Sequence, residues 1–147
     1  MHFAQDMNEI QIPPSGHMSR SIFAVVAGFV VVVILSIGTD KALSVAGIFP
    51  TNGQVMSSGL FAFATVYRTI YGVLGSYITA LLAPHRPMLH SLIGGAIGLV
   101  LSIAGAVVTW NHQPSLGPHW YPVALIITAM PGAWLGAKLR LTQLQDY

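Results

Sequence analysis

Positions 21–39 carry no charged residue, and the six residues 30–35 are valine, isoleucine and leucine alone. About 20 mainly apolar residues in helical form cross the roughly 30 Å hydrocarbon layer of a bilayer. In that layer a helix satisfies all its backbone hydrogen bonds internally. A run of this length and purity therefore predicts a membrane-spanning helix and excludes most soluble folds for the rest of the chain. Three further stretches match it. Positions 57–83 contain one charge, Arg68; positions 88–110 and 120–137 contain no Asp, Glu, Lys or Arg. Only 7% of the 147 residues are charged, where a soluble domain carries about 25%. The sequence predicts an all-α fold, a bundle of four transmembrane helices spanning about 21–41, 57–83, 88–110 and 120–137.

The breaks between the stretches have local causes. Pro84-His85-Arg86-Pro87 cannot continue a helix from either side, and Pro122 suits the first turn of a new one. Phe49-Pro50-Thr51-Asn52-Gly53 reads as a tight turn. Positions 42–48 are apolar enough either to prolong the first helix or to lie in the interface, and the pattern leaves both open. Positions 1–19 form a polar leader with Asp6, Glu9 and Pro13-Pro14; they lack the basic start and short apolar core of a cleaved signal. The organisation read from the chain is thus a leader (1–19), a membrane domain (20–140) and a short tail (141–147).

Lys and Arg gather on the cytoplasmic side of a membrane protein. Arg20, Arg86, Lys138 and Arg140 all fall on one side of a four-span bundle, while the other side holds only Lys41, next to Asp40. Both termini are therefore expected in the cytoplasm, in a bacterial inner membrane. Trp110 and His119-Trp120-Tyr121 lie at the opposite interface, as anchoring aromatics do.

Several function classes fall away. The chain has no cysteine, so disulfides, thiolate metal sites and cysteine nucleophiles are excluded. Six Lys/Arg against four Asp/Glu are too few for a nucleic-acid surface. No catalytic Ser/His/Asp set, paired carboxylates or phosphate loop can be assembled, and the chain is not expected to be an enzyme. The sequence requires no cofactor; bound lipid is expected. His90, one turn inside the third stretch, could ligate a haem or pigment metal, though an interface role is the commoner one for a histidine near a helix end. His112 and His119 have no carboxylate beside them and make a weak metal pair.

Small residues recur at four-residue spacing: Gly72, Ser76 and Ala80; Gly94, Gly98 and Ser102; Thr128, Gly132 and Gly136. Each series lines one helix face and lets backbones approach closely in lipid. Gly72, Ser76, Gly94, Gly98, Gly132 and Gly136 are accordingly read as packing positions, or as faces that dock another subunit. Pro131 should bend the last helix.

Arg68 stands apart. Counted at about 1.5 Å per residue, it lies roughly 12–16 Å inside the span, where an ionisable residue marks a functional site by default. Asp40, at the end of the preceding span, is its expected partner, and Tyr71 shares its face. The pair is either a structural pin between two helices or part of a polar site.

The segments Ile37-Gly38-Thr39-Asp40, Tyr67-Arg68-Thr69-Ile70-Tyr71-Gly72, Gly117-Pro118-His119-Trp120-Tyr121-Pro122 and Pro131-Gly132-Ala133-Trp134-Leu135-Gly136 resemble those of small, uncharacterised bacterial four-helix integral membrane proteins, a group to which no activity is attached. The deep glutamate expected of small multidrug exporters is missing, and no polar filter motif of a small fluoride channel is present. The scarcity of reactive groups and the surplus of small-residue faces favour a non-enzymatic accessory subunit at the edge of a larger membrane complex, respiratory or photosynthetic. The alternative is a small homo-oligomeric transporter or channel with Arg68 in its pathway.

Overall fold

The computed structural model describes positions 16–51, 53–112 and 116–145; most of the polar leader lies outside the described residues. Four helices follow one another: α1 (Gly16–Val45), α2 (Ser58–Leu82), α3 (Pro87–Thr109) and α4 (Trp120–Gln145). No strand occurs among the described residues. α1, α3 and α4 are each long and apolar enough to cross a membrane. α2 is as long as they are, but Arg68 and three tyrosines, Tyr67, Tyr71 and Tyr77, dilute its apolar content.

Local chemistry sets the helix ends. Positions 42–45 prolong α1, and the chain then turns on Gly47, whose φ of +73° suits a residue without a Cβ. The Gly47 N–H donates to the Ser44 carbonyl at 3.1 Å and the Ile48 N–H to the Leu43 carbonyl at 2.9 Å, the paired bonds of a Schellman cap. The turn folds Phe49 back against Ala64 and Tyr67, where it is buried. Ser57 caps α2 by accepting from the Leu60 N–H at 3.4 Å. Ala83 is extended, as a residue before proline must be, and Pro87 opens α3 in its first turn. α4 is continuous through Pro131 and runs past Lys138 and Arg140 to Gln145, several residues beyond the boundary read from its apolar stretch.

α2 is the hub. It packs on α1, α3 and α4, whereas α1 touches α2 and α3 but not α4 among the described residues. Most of α1 consequently faces outward: Val26, Phe29, Val30, Ile34 and Ile37 are exposed, and only 11% of its most apolar stretch is buried. Such a surface is costly in water and matched by lipid chains.

The helices meet where side chains are smallest. A Cβ on Gly28 of α1 would run into the Gly75 carbonyl and Thr79 Oγ1 of α2, and one on Gly75 would strike Val32 and the Gly28 carbonyl. On the other flank, a Cβ on Gly136 of α4 would collide with the Val73 carbonyl and Ser76 Cβ of α2. Gly95 of α3 faces Ala133 of α4 as closely.

Candidate functional site

One turn of α2 and the end of α1 assemble the most polar cluster inside the bundle. The antiparallel pairing that sets Gly28 on Gly75 carries Asp40 to the level of Tyr67 and Arg68. Arg68 Nη2 donates to Asp40 Oδ2 at 2.5 Å, and the Tyr67 hydroxyl donates to Asp40 Oδ1. Both carboxylate oxygens are thus engaged from α2. One helical turn further along α2, Tyr71 shares a hydrogen bond of 2.8 Å with Thr39 Oγ1. The guanidinium also lies 6.0 Å from the ring centroid of Tyr121 on α4, within cation–π range. Tyr121 itself packs on Phe61 at 4.9 Å. The cluster therefore ties α1, α2 and α4 together near the end of the bundle that carries the 46–57 connection.

The cluster is not sealed. The side chains of Arg68 and Asp40 are 33% and 34% exposed. Asp40 takes only one guanidinium nitrogen directly, and Nε is buried without an acceptor among the described residues. Leaving a donor unmade in this way costs about 1–3 kcal/mol.

Two cavities meet at this arginine. The larger, about 410 Å³, lies among all four helices and reaches from Arg68 down to Thr79, Gly94 and Gly132. The smaller, about 300 Å³, extends from Arg68 up to Thr109, Trp110 and the His119 end of the α3–α4 connection. Arg68, Ser102 and Leu125 line both. Asp40 lines neither, and no carboxylate does among the described residues.

The hydroxyls of the larger cavity fall into two classes. Thr69, Thr79 and Thr128 donate to carbonyls of their own helices. Ser36, Ser76 and Ser102 make no side-chain hydrogen bond among the described residues. The rest of the wall is aliphatic, aromatic and glycine.

The residues singled out from sequence separate into groups. Arg68, Asp40 and Tyr71 come together. Gly136 makes the tight contact with α2, while Gly94 and Gly132 make ordinary ones, with Val25 Cγ1 and Val73 Cγ2 at 3.7 Å each. Gly72 and Gly98 do not pack at all: a Cβ on either would find nothing within 4 Å, and both line the larger cavity with Ser76. His90 is buried and lines neither cavity; its Nδ1 donates to the Arg86 carbonyl at 3.1 Å and its ring meets His85 edge-on. His119 donates through Nε2 to the Trp110 carbonyl at 3.0 Å and stacks on the Trp110 ring.

Three participants escaped the sequence reading. Tyr67 was visible only as a neighbour of Arg68, Tyr121 only as an interface aromatic, and Gly28 not at all. Gly28 had a signal, a glycine set directly before the bulky apolar run of a valine-rich helix; nothing local marks Tyr121 as a partner of Arg68.

Comparison of the chain with families of known proteins, with curated proteins and with solved structures finds no match to any of them.

Proposed function

We propose that this is a non-enzymatic protein of the bacterial inner membrane, with four spans and both termini cytoplasmic, acting as a small transporter or channel with Arg68 in its pathway. The observation that carries this reading is that one cationic side chain, held by a carboxylate outside the cavities, lines both of them. A charge inside a bilayer is tolerated when it is paired or hydrated; here Asp40 pairs it and the cavities leave it room for water or solute. α2 serves as the fourth span because its polar side chains find partners: Tyr67 and Arg68 on α1, and Tyr77, whose hydroxyl donates to Gln143 Oε1 at 2.7 Å, on α4.

Reconstitution into proteoliposomes tests the reading. The wild type should pass anions, organic monoanions included, and Arg68→Gln should abolish that flux while helicity is kept. Flux unchanged by Arg68→Gln, or a wild type silent towards every anion tried, overturns it. Reporter fusions at the C-terminus test the orientation separately and should report a cytoplasmic end.

One observation favours an accessory subunit instead. Among the described residues α1 makes no contact with α4 and leaves most of its apolar surface outside the bundle, a flank that a neighbouring membrane subunit would cover. Extraction from the native membrane in mild detergent decides: stoichiometric partner chains support that role, and a free homo-oligomer supports transport.

A further inference from the structure

We infer that the larger cavity binds a monocarboxylate with an apolar body, its carboxylate on Arg68 and the Ser36 and Ser102 hydroxyls, its body along the open floor at Gly72 and Gly98. The inference rests on the pathway reading and names its substrate class.

The polar end of the cavity defines the charge of the ligand. Its donors are the Arg68 guanidinium and the hydroxyls of Ser102, which lines both cavities with it, and of Ser36, one turn from Asp40 on α1; Ser76 lies two turns further along α2, and no carboxylate lines the cavity among the described residues. A group of donors without an acid selects an acceptor or an anion, and a guanidinium matches the planar fork of a carboxylate. Asp40 already compensates the charge of Arg68. A monoanion then adds one net negative charge to a poorly solvated space and a dianion two, which disfavours sulfate and phosphate the more strongly.

The remainder of the cavity defines the body. Below Ser36, its walls are Val25 and Val32 of α1, with the half-exposed Phe29 of α1 and Ile97 of α3 at its open edge, over glycines of α2 and α3. These groups cannot replace the hydration shell of a small inorganic anion, but they cover an aliphatic chain well. Gly72 and Gly98 supply the width, since neither meets a neighbour. At about 410 Å³ the cavity falls in the size range of small-molecule sites.

The test uses the full chain in detergent micelles and radiolabelled octanoate in equilibrium binding. Octanol serves as the body without the charge, and sulfate as the charge without the body. Octanoate should bind; octanol and sulfate should each bind about tenfold or more weakly. Arg68→Gln should lose octanoate to a similar degree. Gly98→Leu, which fills open space away from the ion pair, should lose it too while keeping wild-type helicity and thermal stability. Octanol binding as tightly as octanoate, or Gly98→Leu and Arg68→Gln both binding like the wild type, overturns the inference. Octanoate binding without flux leaves this site standing and removes the pathway. Arg68-dependent flux of small anions with no octanoate binding leaves the pathway standing and removes this site.

Discussion

The two ends of the α1–α2 seam are joined by opposite means. At one end Gly28 and Gly75 bring two backbones into contact with no side chain between them. At the other, Asp40 reaches Arg68 and Tyr67, and Thr39 reaches Tyr71, through long polar side chains. Between these joints, at Ser36 and Gly72, the helices leave space, and the larger cavity lies there. A glycine contact fixes the distance between helices and tolerates no change. A side-chain contact reaches across a gap and can be exchanged for water or a solute. The seam therefore has a rigid foot and a replaceable latch, and the functional proposal concerns the latch.

The largest expected effect comes from attacking the foot. Gly75→Val would press a branched side chain onto the Gly28 carbonyl and Val32, neither of which can move cheaply. A loss of about 3 kcal/mol or more is expected, read as a collapse of the thermal transition in detergent. A folded, wild-type-like Gly75→Val protein would show that the foot is not rigid.

The latch should yield less. Asp40→Asn strands the Arg68 charge in a site about one-third exposed. With solvent screening it should cost about 1–2 kcal/mol. Combining it with Arg68→Gln should recover part of that loss, so a double-mutant cycle measures the coupling. Strict additivity would mean that the pair contributes nothing. Tyr71→Phe removes only its bond to Thr39 and should cost about 0.5–1.5 kcal/mol by the same unfolding measurement.

The smallest effect sharpens the contrast within one helix. A Cβ on Gly38 would meet nothing within 4 Å. Gly38→Ala should therefore be neutral, or stabilising by up to about 1 kcal/mol through helix propensity. Gly28→Ala, three turns earlier in α1, should destabilise. Equal responses at the two positions would contradict the distinction drawn between them.

The helices were legible in the sequence because lipid imposes a simple composition rule, and the prolines and capping residues mark their ends. The Arg68–Asp40 pair was legible for a similar reason: a charge in a largely apolar helix calls for the one acid near a neighbouring one. The roles of the glycines were not. Periodicity puts Gly72, Gly75, Gly94 and Gly98 near one another on helix faces, but it does not say which face another helix covers and which borders a cavity. That depends on interhelical distances, which Gly28 sets from a helix whose own pattern is apolar all round. Tyr121 was hidden likewise, because its meeting with Arg68 depends on the lateral placement of α4 against α2. α2 illustrates the limit of composition itself: its polar residues lower its apolar content, yet Tyr67, Arg68 and Tyr77 find partners on α1 and α4.

Thiol accessibility tests the central claim, that solute or water reaches Arg68 through the bundle. The chain contains no cysteine, so a single introduced thiol reports alone. Ser102→Cys would stand in both cavities beside Arg68, while Val100→Cys, two residues away, would stand on the exposed outer face of α3. A charged, membrane-impermeant methanethiosulfonate needs a hydrated thiolate to react. The account predicts modification of Ser102→Cys in intact membranes and none of Val100→Cys, with the anionic reagent faster than the cationic one. An unreactive Ser102→Cys, or equal reaction at the two positions, would contradict it.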